Sequence, residues 1–210
     1  MSVVLHPSYF PSIATFAVIV RKNVVWEAFD NFQKQTYRNR CYICTDQGRH
    51  MMNVPIKHVG INEGRQLYSE VILDHSMPWL KQHWRTLETA YRTSPYFEFY
   101  EDEIKPLYEK REELLYNFNL RSIQTIMECL GVEKKFERTQ KYEVKFKSEH
   151  IIDGRFLVEA KKPIAISNQA YEQVFEDRHG FVPNLSILDL LFNEGPNTVE
   201  YLLNQPLDFL

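Results

Sequence analysis

The chain has 210 residues, with 25 Lys and Arg against 28 Asp and Glu, and a formal charge of −3. It carries 14 Phe, 12 Tyr and 3 Trp but only 7 Gly. This excludes a glycine-loop phosphate site, which needs two or three glycines within about six residues; the closest pair, Gly60 and Gly64, has no Gly-Lys-Ser/Thr after it. The near-neutral balance argues against bulk electrostatic binding of nucleic acid, and the aromatic content argues against disorder.

Residues 3–5 form a short apolar run ended by His6-Pro7, the pattern of a buried central strand. Ser12 can cap a helix to about residue 22, and 24–29 is a second strand, β-branched and aromatic. Residues 31–40 are polar. Residues 41–45 and 50–55 flank Asp46-Gln47-Gly48, a hairpin turn. Residues 58–65 read as a polar loop, and 67–73 alternate like a half-buried strand. Asp74 or Ser76 can cap a helix over about 77–92, with Trp79, His83, Leu87 and Ala90 on one stripe. Ser94-Pro95 opens a second helix, and a third covers about 112–130 and stops at Gly131. Residues 132–168 read as short strands or ordered loop, 171–176 as a strand. Ser186 caps a helix to Asn193, and Asn197 opens a last helix to about 204.

The expectation is an α/β or α+β fold in one domain over 1–210. A mixed sheet starts with a β-α-β unit, a helical subregion spans about 76–131, and short strands and two helices close the chain. No run of 18 apolar residues is present, so no membrane-spanning helix is expected. The N-terminal stretch lacks a basic n-region and is broken by Pro7 and Pro11, unlike a signal peptide. Three cysteines, an odd number, fit reduced thiols and a cytoplasmic protein.

Lys34, Tyr37, Arg38, Asn39 and Arg40 put forks, a point charge and neutral donors in one short segment. That suits the diphosphate of a nucleotide sugar, or equally a solvated basic loop. Alanine at Arg38 or Arg40 is then expected to weaken an anionic ligand with little change in melting temperature. His83 is either a proton carrier or a satisfied wall of the core. Arg85 either lines an anionic site or pairs along the helix with Glu88 and Arg92. Asp189 is a candidate base, or orients a histidine such as His179, and Asn184 is a candidate ligand contact. Against this, Ser186-x-x-Asp189 approaches a capping box, which alone explains both residues. Cys41-x-x-Cys44 lacks the second pair a structural zinc needs, so neither metal nor cofactor is expected. His6 and Tyr9 follow the first strand, at the end where parallel sheets bind ligands.

Three stretches together are similar to the WbqC-like family: Phe32-Gln33-Lys34-Gln35-Thr36-Tyr37-Arg38-Asn39-Arg40-Cys41; Trp79 to Tyr100 (WLKQHWRTLETAYRTSPYFEFY); and Tyr171-Glu172-Gln173-Val174-Phe175 with Gly180 to Gly195 (GFVPNLSILDLLFNEG). Many members carry Tyr where Phe32 stands. Many also begin His-Gln-Pro-x-Tyr-x-Pro after the first strand; aligning Tyr9 and Pro11 puts Leu5 on the family histidine and His6 on the glutamine, so His6 is a partial replacement. The resemblance implies a role in bacterial surface-polysaccharide (O-antigen-type) synthesis. With the cationic segment it suggests a transferase moving an acyl or aminoacyl group onto a nucleotide-activated amino sugar. In that reading Lys34, Arg38 and Arg40 hold phosphate, and His6, His83 or Asp189 handles the proton. The alternative is a non-catalytic module for polysaccharide enzymes. Convergence of Arg38, Arg40, His83 and Asp189 on one pocket favours the enzyme, and scatter favours the module.

Overall fold

The computed structural model describes residues 1–57, 64–161, 164, 166, 167 and 169–210. The loop expected at 58–65, and with it Gly60, lies for the most part outside the described residues.

The core begins with β1 (Ser2–Leu5), α1 (Ile13–Arg21) and β2 (Asn23–Trp26). The hairpin β3 (Arg40–Thr45) and β4 (Gly48–Asn53) follows. Next come α2 (Trp79–Tyr91), α3 (Phe97–Ile104), α4 (Pro106–Glu109) and α5 (Leu115–Cys129). Two short strands, β5 (Glu137–Arg138) and β6 (Ile151–Asp153), precede α6 (Glu176–His179), α7 (Ile187–Glu194) and α8 (Thr198–Asn204). The parallel and antiparallel strands sit in two sheets rather than one: a parallel sheet in the order β5-β2-β1-β6, and the separate hairpin.

β1 is central because Val3, Val4 and Leu5 are buried, the continuous apolar run of a strand covered on both faces. It pairs with β2 in register Ser2↔Asn23 and with β6 in register Ser2↔Ile151. The chain runs outward from β1 through β2 to β5, then returns to β1's other edge as β6. That reversal is a topological switch point, where two adjacent connections leave a crevice at the carboxyl ends of the strands. α1 is buried along Ile13–Val20, so it is apolar all round rather than amphipathic, and it contacts α7 and α8. Ser12 caps it as expected, accepting from the Thr15 N–H at 3.4 Å.

Two expected strands are absent. Residues 67–73 hold a 3-10 turn, Tyr68–Glu70, with isolated bridges from Leu67, Ile72 and Leu73 to three different segments. The alternation reflects burial of Tyr68, Val71 and Leu73 without a continuous neighbour to pair with. Residues 171–173 are not paired in a sheet and 174–175 turn into α6; Tyr171 and Gln173 both bond Asp189. α2 begins later than its capping signals suggest. Asp74 instead accepts from the Ser76 N–H at 2.9 Å, and Pro78 precedes the helix with no side-chain cap. The Gly131 stop is as expected: φ is +62° and its N–H bonds the Glu128 carbonyl at 3.0 Å, closing α5 in the left-handed turn glycine accepts.

Gly154 fixes the crevice. Its N–H bonds the Val4 carbonyl at 3.0 Å, and a Cβ there would fall 2.6 Å from Leu5 Cδ2 and 2.8 Å from Val3 Cγ1. Only a glycine lets the chain leaving β6 press this closely onto β1.

Candidate functional site

Because all four strands of the main sheet are parallel, their carboxyl ends meet at one edge. His6 follows β1, Glu27 follows β2, Thr139 follows β5, and Asp153 and Arg155 flank the turn out of β6. The polar segment after β2 adds Asp30, Gln33 and Arg38. Together with Tyr142, Phe156, Val158 and Glu159, six of these residues line a cavity of about 310 Å³, at the small end of the range for ligand pockets.

His6 is 2% exposed and Arg38 2% exposed, so both polar groups must find partners inside the protein. The three central side chains form a triangle. His6 Nε2 lies 3.1 Å from Asp30 Oδ2, Arg38 Nη2 lies 3.0 Å from the same oxygen, and Arg38 Nη2 lies 2.8 Å from His6 Nε2. Arg38 only donates. If Nε2 is bare it accepts from Arg38 and faces the carboxylate lone pairs; if it carries the proton it donates to Asp30 and crowds the guanidinium. Either tautomer satisfies two sides of the triangle. His6 Nδ1 is buried and has no partner among the described residues. Whatever meets Nδ1 therefore selects the tautomer.

The electrostatics follow from burial. Burial, opposed by the bond from Asp30 and assisted by the charge of Arg38, brings His6 down from 6.5 to about 4, so the imidazole is neutral at pH 7. Burial alone would push the Asp30 carboxyl up, but the bond and charge of His6, the charge of Arg38 and the Asn31 N–H hold it below the usual range.

A second ion pair frames the other wall. Arg155 forks onto Asp153, with Nε to Oδ1 at 2.8 Å and Nη2 to Oδ2 at 2.7 Å. It also bonds the Glu143 carbonyl at 2.8 Å and reaches the fully buried Glu27 at 3.4 Å. Its guanidinium sits 4.7 Å from the Phe146 ring centroid and 5.1 Å from that of Tyr142. The bonds from Asp153 raise its pKa further. The cavity thus presents three carboxylate residues and two guanidiniums, each guanidinium already matched to a carboxylate.

A WbqC-like family model matches residues 6–165 and 155–201. The chain belongs to the WbqC-like protein family. The uncharacterised protein Rv1507c of Mycobacterium tuberculosis is 28% identical to it over 225 residues, covering 95% of this chain and 96% of that protein. No solved structure matches. The cavity of this WbqC-like chain draws on distant parts of the matched region, His6 at its start and Arg155 where the two matched stretches overlap.

The structure distributes the candidates read from the sequence. His6 and Arg38 meet in the cavity. Lys34 is exposed on the loop that brings Gln33 to the cavity rim. Asn39 is buried and donates to Val54 O at 3.0 Å and Asn53 Oδ1 at 3.2 Å, tying the segment to the end of β4. Tyr37, Arg40 and Asn184 do converge, with Tyr9 and Phe10, but around a void of only about 10 Å³, room for one water at most. Asn184, at φ +52°, accepts from the Ala14 N–H at 3.0 Å and so caps α1. Lys34, Arg38 and Arg40 therefore do not form one phosphate cradle.

His83 bonds the Tyr9 hydroxyl at 2.9 Å, and that hydroxyl meets Tyr108 at 2.8 Å. Its ring packs edge-on to Trp79, the wall position its stripe implies, and burial brings it down to about 4. Asp189 is fully buried and saturated by Tyr91, Tyr171 and Gln173. His179 is elsewhere, bonded to the Asp46 carbonyl at 3.0 Å. Arg85 is exposed and, among the described residues, has no ion pair; Glu88 pairs with Arg92 at 3.3 Å instead. Burial pushes the Cys41 and Cys44 thiols up, Cys44 to about 11, so neither is a ready thiolate. Among the described residues no three His, Cys, Asp or Glu are placed to share a metal ion, and no helix is long and apolar enough to cross a membrane.

Asp30, Asp153, Arg155 and Glu27 were not among the candidates read from the sequence. The available signal was the Asp-Gly-Arg run at 153–155, where a glycine parts an acid from a cation just past an Ile-Ile pair.

The two buried imidazoles set a pH dependence. Both titrate near 6.5 when unfolded and near 4 in the fold. Between these values the unfolded chain binds more protons, so stability rises with pH. Their contribution is complete above about pH 6.5 and is lost as pH falls towards 4, up to roughly 3 kcal/mol for each ring. Asp189, raised by burial, acts in the opposite sense above the ordinary carboxylate range. Urea melts from pH 7 to 4.5 should show a falling stability, with a shallower fall in His83→Gln; equal slopes in the two proteins would contradict the assignment.

Proposed function

We propose that this protein is a cytoplasmic transferase of surface-polysaccharide synthesis, and that the His6 cavity takes the amine of a nucleotide-activated amino sugar. The observation that carries the reading is the unpartnered His6 Nδ1, in a neutral imidazole, at the switch point of the parallel sheet. Carboxylates outnumber guanidiniums on the lining, which favours an amine over a phosphate inside the cavity. The diphosphate is then held outside, with exposed Lys34 as the cation on the adjoining loop.

In the reaction the amine nitrogen attacks the carbonyl carbon of an activated acyl or aminoacyl donor. An N–C bond forms, the nitrogen loses a proton to His6 Nδ1, and the donor's leaving group departs with its electron pair and receives that proton. Asp30 accepts the Nε2–H bond as His6 picks up the proton and offsets the new positive charge, as carboxylates orient imidazoles generally. Arg38 holds Asp30 in place.

The scatter of Arg40, His83 and Asp189 away from Arg38 supports a second reading, a non-catalytic module. One comparison separates them. Binding of a nucleotide-linked amino sugar is measured beside its hydroxyl analogue, and acyl transfer is assayed in wild type and His6→Asn. The transferase reading expects tighter binding of the amine and at least about a hundredfold lower turnover in the variant. Binding without preference for the amine, and no turnover with any acyl donor, would favour the module.

A further inference from the structure

A second concavity, of about 640 Å³, lies between the β3–β4 turn, α2 and α6, and its lining shares no residue with the His6 cavity. Thr45, Asp46, Gln47 and His50 form one wall, Arg85, Thr86, Thr89 and Ala90 of α2 another, and Phe175 and Arg178 the third. Two walls are tied where His179 bonds the Asp46 carbonyl at 3.0 Å, and the turn itself is braced by Thr45 Oγ1 on the Gly48 carbonyl at 3.2 Å.

The charges here are arranged opposite to those of the His6 cavity. Among the described residues, neither Arg85 nor Arg178 has a carboxylate within 4.0 Å. Arg85 has Glu88 one turn ahead, but Glu88 is taken by Arg92, which Glu101 also meets at 3.4 Å. The one acid on the lining, Asp46, has its carboxylate engaged by Gln47 Nε2 at 3.0 Å. Arg49, the other cation of the turn, lies 3.8 Å over the Tyr42 ring and does not line the groove. Two guanidiniums from two different walls stand against the single carboxylate of Asp46, so the lining carries a net positive charge. Guanidinium forks of this kind match phosphate oxygens in pairs, and Phe175 offers an apolar face beside them.

We propose that this groove is a binding site for a phosphorylated small molecule, with a diphosphate as its best match, Arg85 holding one end and Arg178 the other. The proposal is independent of the transferase reading, because it uses none of that cavity's residues.

The test is isothermal titration of the full chain with inorganic pyrophosphate at about 0.15 M salt, where long-range surface attraction is screened. Saturable binding is expected. Arg85→Gln and Arg178→Gln should each weaken it at least about tenfold, the loss expected for a charged hydrogen-bonding partner, and the double variant should abolish it. Arg92→Gln, on the same helix, should bind like wild type. All these positions are solvent-exposed or partly so, and unchanged melting temperatures without ligand confirm intact folds. No saturable binding, wild-type binding in the double variant, or an equal loss in Arg92→Gln would overturn the proposal.

Discussion

Replacing Asp189 with alanine is expected to remove about 3 to 5 kcal/mol of stability, read from the denaturation midpoint. The carboxylate is 0% exposed. It accepts from the Tyr91 hydroxyl on Oδ1 at 2.6 Å, and from the Tyr171 hydroxyl at 2.6 Å and Gln173 Nε2 at 2.9 Å on Oδ2. Tyr91 ends α2, Asp189 lies in the first turn of α7, and Tyr171 and Gln173 belong to a segment with no backbone pairing. One side chain thus fastens three elements, and alanine leaves the buried Tyr91 and Tyr171 hydroxyls without their acceptor, while Gln173 keeps the Val182 carbonyl at 3.0 Å. Asparagine keeps one carbonyl oxygen but turns a donor towards groups that already donate, so an intermediate loss is expected. A folded Asp189→Ala with less than about 1 kcal/mol lost would show that the tie contributes little. A stable Asp189→Asn that binds ligand but does not turn over would restore the proton-carrier reading.

The second large effect is at Arg38. Its alanine variant is expected to lose about 3 kcal/mol, contrary to the small change the sequence suggests for a solvated basic loop. The guanidinium is buried and spans Thr36, Asp30 and His6; its removal strands the Asp30 carboxylate beside an imidazole. Because the charge of Arg38 helps to keep His6 unprotonated, the ring should also titrate closer to its ordinary 6.5, a shift visible in imidazole NMR resonances. A double-mutant cycle with Asp30→Ala isolates the pair. Additive losses and an unmoved His6 titration would separate Arg38 from the triangle.

The local elements of the fold are legible in the sequence because their signals are local. The hairpin turn, the Ser12 and Ser186 caps, the Gly131 stop and the His83 stripe each depend on neighbours within a few residues. The site is legible in part. His6 stands out by following the first strand and Arg38 by its basic company, yet nothing in the string joins them to Asp30. Asp153 and Arg155 are hidden because β6 has three residues and no alternation, and is defined by pairing with β1 from the other end of the chain. Polar character also misleads. Asn39 and Asn184 are polar because backbone groups need partners, and Asp189 because two tyrosines do.

The pairing of Ser2 with Ile151 has a kinetic side. β6 follows β1 by about 150 residues, and one edge of β1 has no partner until they have been synthesised. An apolar strand with an open edge is a template for pairing with other chains, and distant pairings slow folding because loop closure precedes their reward. The assembly of the sheet is therefore the step at which this protein is most exposed to aggregation, and the last strand to dock is the one that brings in Asp153 and Arg155. Until β6 is paired, Asp153 and Arg155 are not in place and the His6 cavity lacks one wall, so binding there reports a completed sheet.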